Sequence, residues 1–117
     1  ELRNAIATAK DLFQGKEIYG IFQPHLFSRT RDFADGFARE LDQLDYPILM
    51  EIYPARELPI ENVNSQMILD RMTNPNKQIM SFKEILEFVN KNKPEVLMTL
   101  GAGDIDTIVP KIKIILS

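Results

Sequence analysis

Between positions 25 and 31 the chain gathers its only histidine, His25, two arginines, Arg29 and Arg31, and the hydroxyls of Ser28 and Thr30. An arginine offers a planar fork that matches a carboxylate or phosphate, and the start of a helix adds unpaired backbone N–H groups. By residue type this segment is either an anion site or a run of solvated charges with His25 capping a turn. A second group is Tyr53-Pro54-Ala55-Arg56-Glu57-Leu58-Pro59-Ile60. Tyr53 and Glu57 can orient a ligand or pair with the arginines across a crevice, or they can simply stiffen a long loop. A third is Gly101-Ala102-Gly103, whose glycines let backbone approach a ligand closely. Asp104 follows as a good N-cap that repels phosphate, so this loop suits an amine-bearing partner or a structural role.

Much chemistry is excluded. The phosphate-loop pattern Gly-x-x-x-x-Gly-Lys-[Ser/Thr] is absent, the third glycine of the dinucleotide fingerprint is missing, and no Gly-x-Ser-x-Gly elbow occurs. With no cysteine there is no disulfide, thiolate zinc site or cysteine nucleophile, and one histidine rules out a multi-histidine metal site. The 117 residues suit a single domain; 14 Lys+Arg against 17 Asp+Glu leave a net charge of −3, which argues against a nucleic-acid partner. Hydrophobic and charged fractions of 44 % and 26 % are those of a folded globular chain. No apolar run approaches the roughly 20 residues that span a bilayer, and Glu1-Leu2-Arg3 opens no signal peptide. The expectation is a soluble cytoplasmic domain with neither membrane nor metal.

The positioning elements follow from hydrophobic spacing. Leu2, Ala5/Ile6, Ala9 and Leu12/Phe13 predict a helix ended by Gly15, and Glu17–Phe22 a buried strand stopped by Pro24. Gln23–Thr30 then reads as a loop, with Thr30 capping a helix from about Arg31 to Leu44. Pro47–Ile52 is a second strand and Tyr53–Val63 a loop. Asn64 or Ser65 caps a short helix through Met72, and Lys77–Met80 is a weak third strand. Ser81-Phe82-Lys83-Glu84 has the form of a capping box, Glu95–Leu100 a fourth strand, and a last helix carries Ile108, Ile112 and Ile115 around Pro110. Strands separated by helices predict an α/β fold: a mainly parallel sheet covered on both faces, with ligands beyond the strands' carboxyl ends. A chain opening on an uncapped helix is expected to be a domain of a longer protein.

Three blocks in this order, Phe22-Gln23-Pro24-His25…Ser28-Arg29-Thr30-Arg31-Asp32, Tyr53-Pro54-Ala55…Glu57…Pro59-Ile60 and Gly101-Ala102-Gly103…Ile105, resemble the C-terminal domain of the Mur ligases of peptidoglycan synthesis. The first block is most similar to the members that add L-alanine to UDP-N-acetylmuramate. The resemblance implies a Rossmann-like three-layer α/β/α domain, the third of a three-domain ligase whose N-terminal and central ATPase domains lie on the same chain. It further implies an ATP- and Mg2+-dependent reaction in which the muramate carboxylate becomes an acyl phosphate attacked by the alanine amine. This domain would bind the amino acid without catalytic groups of its own, and would be inactive alone. Carried over by position, Arg29 would hold the alanine carboxylate and His25 would position substrate. Arg31 would assist unless it pairs with Asp35, and Tyr53, Glu57, Gly101, Ala102 and Gly103 would line the closed cleft. Leu26 stands where the family carries a basic residue, and Asp104-Ile105-Asp106 where it carries Asn-Ile-Gly. The alternative is a stand-alone anion- or nucleotide-binding module; a related ligase acting on recycled peptide ranks below both.

Overall fold

A computed structural model describes residues 1–117. Its elements run α1 (Leu2–Leu12), β1 (Ile18–Gln23), α2 (Phe27–Leu41), β2 (Tyr46–Leu49), α3 (Ser65–Arg71), β3 (Gln78–Ile79), α4 (Phe82–Asn92), β4 (Val96–Gly101) and α5 (Ile105–Leu116). All strand pairs are parallel, in the order β3-β2-β1-β4, with Phe22 level with Leu49 on one side and Leu100 on the other. Alternate side chains of a strand point to opposite faces, so the two cores separate by register. Ile18 and Phe22 pack with Leu49 and Leu100 beneath α1, α2 and α3, through Ile6, Ala38, Leu41 and Ile68. Ile21 and Ile48 face the other way, against Ile85 and Val89 of α4 and Ile105, Ile108 and Ile112 of α5. The three-layer architecture is the one the alternation of elements demands.

Two helix starts obey local sequence. Asn64 accepts from the Met67 N–H at 3.1 Å, and Ser81 with Glu84 closes a reciprocal capping box. Two others do not. The segment expected to be a loop up to Thr30 is already helical from Phe27, so Ser28, Arg29, Thr30 and Arg31 occupy the first turns of α2. Thr30 is no cap: it is fully buried, and its hydroxyl donates back to the Leu26 carbonyl at 2.8 Å. Asp104 caps nothing with its side chain, having a helical φ of −57°. In both places a distant residue supplies the cap, which hydrophobic spacing cannot reveal. At its other end α2 stops at Leu41 rather than Leu44, and the Asp42 carboxylate there takes the Thr73 and Asn74 N–H groups at 3.0 Å. α5 runs through Pro110.

Candidate functional site

The strands' carboxyl ends meet three loops, and one buried side chain joins them. Gln23, the last residue of β1, is 2 % exposed, and both halves of its amide are used. Its Oε1 accepts the N–H of Ile105 at 2.9 Å, starting α5, while its Nε2 donates to the Glu51 carbonyl at 3.2 Å in the loop after β2. A buried amide so satisfied holds three segments in one geometry, whereas a missing partner would leave a costly unpaired group. Gln23 is the residue that spacing alone missed as a site residue; the available signal is a polar amide ending an otherwise apolar strand.

Beyond Gln23 the chain keeps pairing. Tyr53 donates its N–H to the Pro24 carbonyl, and Leu26 donates to the Tyr53 carbonyl, both at 2.9 Å. The His25 and Tyr53 rings lie nearly parallel, 6.0 Å apart between centroids. Gly103, at φ +120°, backs onto the Tyr53 ring so closely that a Cβ there would overlap it. The chain turns sharply into α2 at Leu26, whose φ of +73° is a region L-residues rarely adopt.

The N-terminus of α2 does not wait for an external anion. Glu57 reaches back from the second loop and accepts the Ser28 N–H at 3.0 Å and the Ser28 hydroxyl. These bonds, the hydroxyl's foremost, hold the Glu57 carboxyl below its ordinary value, with Arg31 adding a smaller Coulombic pull. Glu57 thus serves as the remote cap of α2 rather than as an arginine's ion-pair partner. Because the folded-state value is lowered, the stabilisation is complete above the ordinary value and is lost as pH falls through the depressed one. Glu57→Gln should therefore melt below the parent near neutral pH, and the gap should narrow as the pH falls below the ordinary carboxylate range. Thermal scans across that range check this; a gap independent of pH would refute the charged cap.

Arg31 is likewise occupied, though not by Asp35 as expected. Its Nε lies 2.9 Å from Asp32, which raises its already high value, while Asp35 pairs with Arg71 on α3 at 2.7 Å. Arg31 is therefore the weaker candidate for a ligand.

Arg29 makes no ion pair within the chain. It lies on the wall of a cleft of about 860 Å³ that also takes in His25, Leu26, Phe33, Gly101 and Ala102, between α2, the start of α1 and the ends of β1 and β4. Four of the eight candidate residues, His25, Arg29, Gly101 and Ala102, thus share one cavity. Arg31, Tyr53, Glu57 and Gly103 lie outside its lining, the last two acting as cap and spacer. A smaller hollow of about 440 Å³ opens on the other side of Gln23, over Met50 and Met80, and carries Glu51, Glu84 and Asp104. Asp104 thus lines this hollow and not the cleft that holds Arg29. The arrangement leaves an uncommitted guanidinium, an exposed imidazole and close-approaching backbone around one opening, a combination suited to a small carboxylate.

No family model matches the chain. It is 51 % identical over 111 residues to the UDP-N-acetylmuramate–L-alanine ligase of Flavobacterium johnsoniae, an alignment covering 94 % of the chain and 25 % of that protein. It is 50 % identical over 114 residues to the enzyme of the same name from Porphyromonas gingivalis, covering 97 % and 25 %. The chain is a Mur ligase C-terminal domain. It spans about a quarter of the length of the curated relatives it matches. A murein peptide ligase of Psychrobacter arcticus superposes on 98 % of the chain, and 25 % of its own, with a TM-score of 0.74 at 14 % identity; that likeness concerns the fold. Within this Mur ligase domain no group of three histidine or carboxylate side chains could hold a metal ion, and no helix is long and apolar enough to cross a membrane.

Proposed function

We propose that residues 1–117 are the amino-acid-binding domain of a three-domain, ATP-dependent ligase that joins L-alanine to UDP-N-acetylmuramate in the cytoplasm during peptidoglycan synthesis. The observation that carries the reading is the cleft in which Arg29, free of any internal ion pair, stands beside His25 and the Gly101–Ala102 backbone. In this role Arg29 donates two N–H groups to the alanine carboxylate, and His25 orients the bound amino acid or the phosphoryl group beside it. Relatives at about half identity that bear the L-alanine ligase name support that substrate over a recycled peptide. ATP and Mg2+ supply the activation of the muramate carboxylate. This chain's own residues do not fit them, having neither a phosphate loop nor a metal cluster, so their binding belongs to the central ATPase domain.

The test is phosphate release from ATP. The full-length ligase should require both UDP-N-acetylmuramate and L-alanine for turnover, and the 117-residue chain alone should release none. Turnover by the isolated chain would sink the division of labour. Failure of the full-length protein to turn over with both substrates would favour a binding module without catalysis.

A further inference from the structure

The cleft face of α2 carries Arg29, Phe33 and Phe37 at successive spacings of four residues, so the three lie one above another along the helix. Phe33 is 54 % exposed and lines the cleft beside Arg29. The Arg29 guanidinium carbon lies 5.6 Å from its centroid, within cation–π range. Phe33 in turn lies 6.2 Å from Phe37, tilted, and Phe37 meets Phe22 edge-on at 5.2 Å. Phe22 is a buried residue of β1, next to Gln23. The rings thus form a ladder from the sheet to the one cleft-lining cation of the first turns of α2 that has no carboxylate to hold it.

Resting on the reading of Arg29 above, we infer that Phe33 is a positioning residue that holds the Arg29 guanidinium in the orientation that receives the amino acid's carboxylate. An arginine side chain has several freely rotating bonds, and fixing them on binding costs affinity. A ring beneath the guanidinium removes part of that cost without neutralising the charge, as a carboxylate partner would. An exposed ring face also leaves the N–H edge open to a ligand.

The experiment is a double-mutant cycle in the full-length ligase, with L-alanine as the varied substrate. Phe33→Leu should raise KM for L-alanine about two- to fivefold, the range of an exposed cation–π contact, with kcat and KM for ATP unchanged. Phe33→Tyr should restore the parent value. In an Arg29→Ala background Phe33→Leu should add nothing, because the group it positions is gone. An equal penalty in both backgrounds would show a merely structural ring and overturn the inference. The side-chain δ-protons of Arg29, assigned by their loss in Arg29→Ala, should be shifted upfield by the ring and return toward ordinary values in Phe33→Leu. Unshifted protons in the parent would overturn it independently of activity. Should Arg29→Ala leave KM for L-alanine unchanged while the ring-current shift is present, the contact stands but the carboxylate role of Arg29 falls, and the inferred function of Phe33 with it.

Discussion

Arg29→Ala in the full-length ligase should lower kcat/KM for L-alanine by tens- to hundreds-fold, about 2–4 kcal/mol, with the protein still folded. The size follows from what the side chain does and does not touch. Arg29 is exposed on the cleft wall and makes no ion pair, so removing it breaks no internal network and creates no buried orphan. On the proposed reading, what is lost is a charge-assisted, two-pronged contact to a carboxylate, which Arg31, held by Asp32, is not free to replace. Arg29→Lys should recover only part of the loss, because an ammonium keeps the charge but not the fork. Steady-state kinetics with L-alanine varied at saturating ATP and UDP-N-acetylmuramate decide the matter. A parent-like kcat/KM in Arg29→Ala would move the amino-acid site elsewhere while leaving the family relationship untouched.

Gly101→Ala should be severely damaging, costing about 2–5 kcal/mol of folding stability. Gly101 ends β4 at φ +95°, a conformation in which an L-residue is strained. Its missing side chain is also where the Gln23 backbone passes: a Cβ would overlap the Gln23 carbonyl oxygen and lie 3.1 Å from its carbon. Backbone cannot swing aside as a flexible side chain can. Relief would therefore displace Gln23 and with it the Ile105 and Glu51 bonds that fix the three loops. Against a total stability on the order of 5–15 kcal/mol this is a large fraction. Gly36 supplies the contrast: it lies inside α2 with open space around its Cβ position, so Gly36→Ala should stabilise by about 0.5–1 kcal/mol. Denaturant midpoints of the two variants, moving in opposite directions from the parent, are the expected result. A neutral Gly101→Ala would mean that the close approach of β1 and β4 at this point is not obligatory.

The elements were legible because their signals are local. Apolar residues at spacings of three and four marked the helices, and short β-rich runs bounded by Pro24 and Gly101 marked two of the strands. Their alternation left a parallel sheet with crossover helices as the economical arrangement, and the sheet has that form. Asn64 and the Ser81–Glu84 box could be read as caps because donor and acceptor lie within three residues of each other. The start of α2 could not. Its cap is Glu57, 29 residues away, so the sequence reading placed Ser28 to Thr30 in a loop and spent Thr30 on a role it does not perform.

The same division runs through the site. Residue chemistry by itself picked out the segment from His25 to Arg31 as the candidate for anion recognition, and determined that the chain carries no phosphate loop, cysteine or histidine cluster. It determined the order of the three loops as well, and the family they resemble. Only the tertiary structure decided which charges stay free. Arg31 and Glu57 are spent on Asp32 and on the N–H and hydroxyl of Ser28, and Asp104 lines the other hollow; of the two candidate arginines only Arg29 makes no ion pair, and it is set on a ladder of phenyl rings. The physical reason is that a side chain's type states what it can bind, but its partners are chosen by distances that close only when β1, β2 and β4 lie side by side. Gln23 illustrates this most plainly: an unremarked amide in the chain, and in the folded domain the group that brings the loops together.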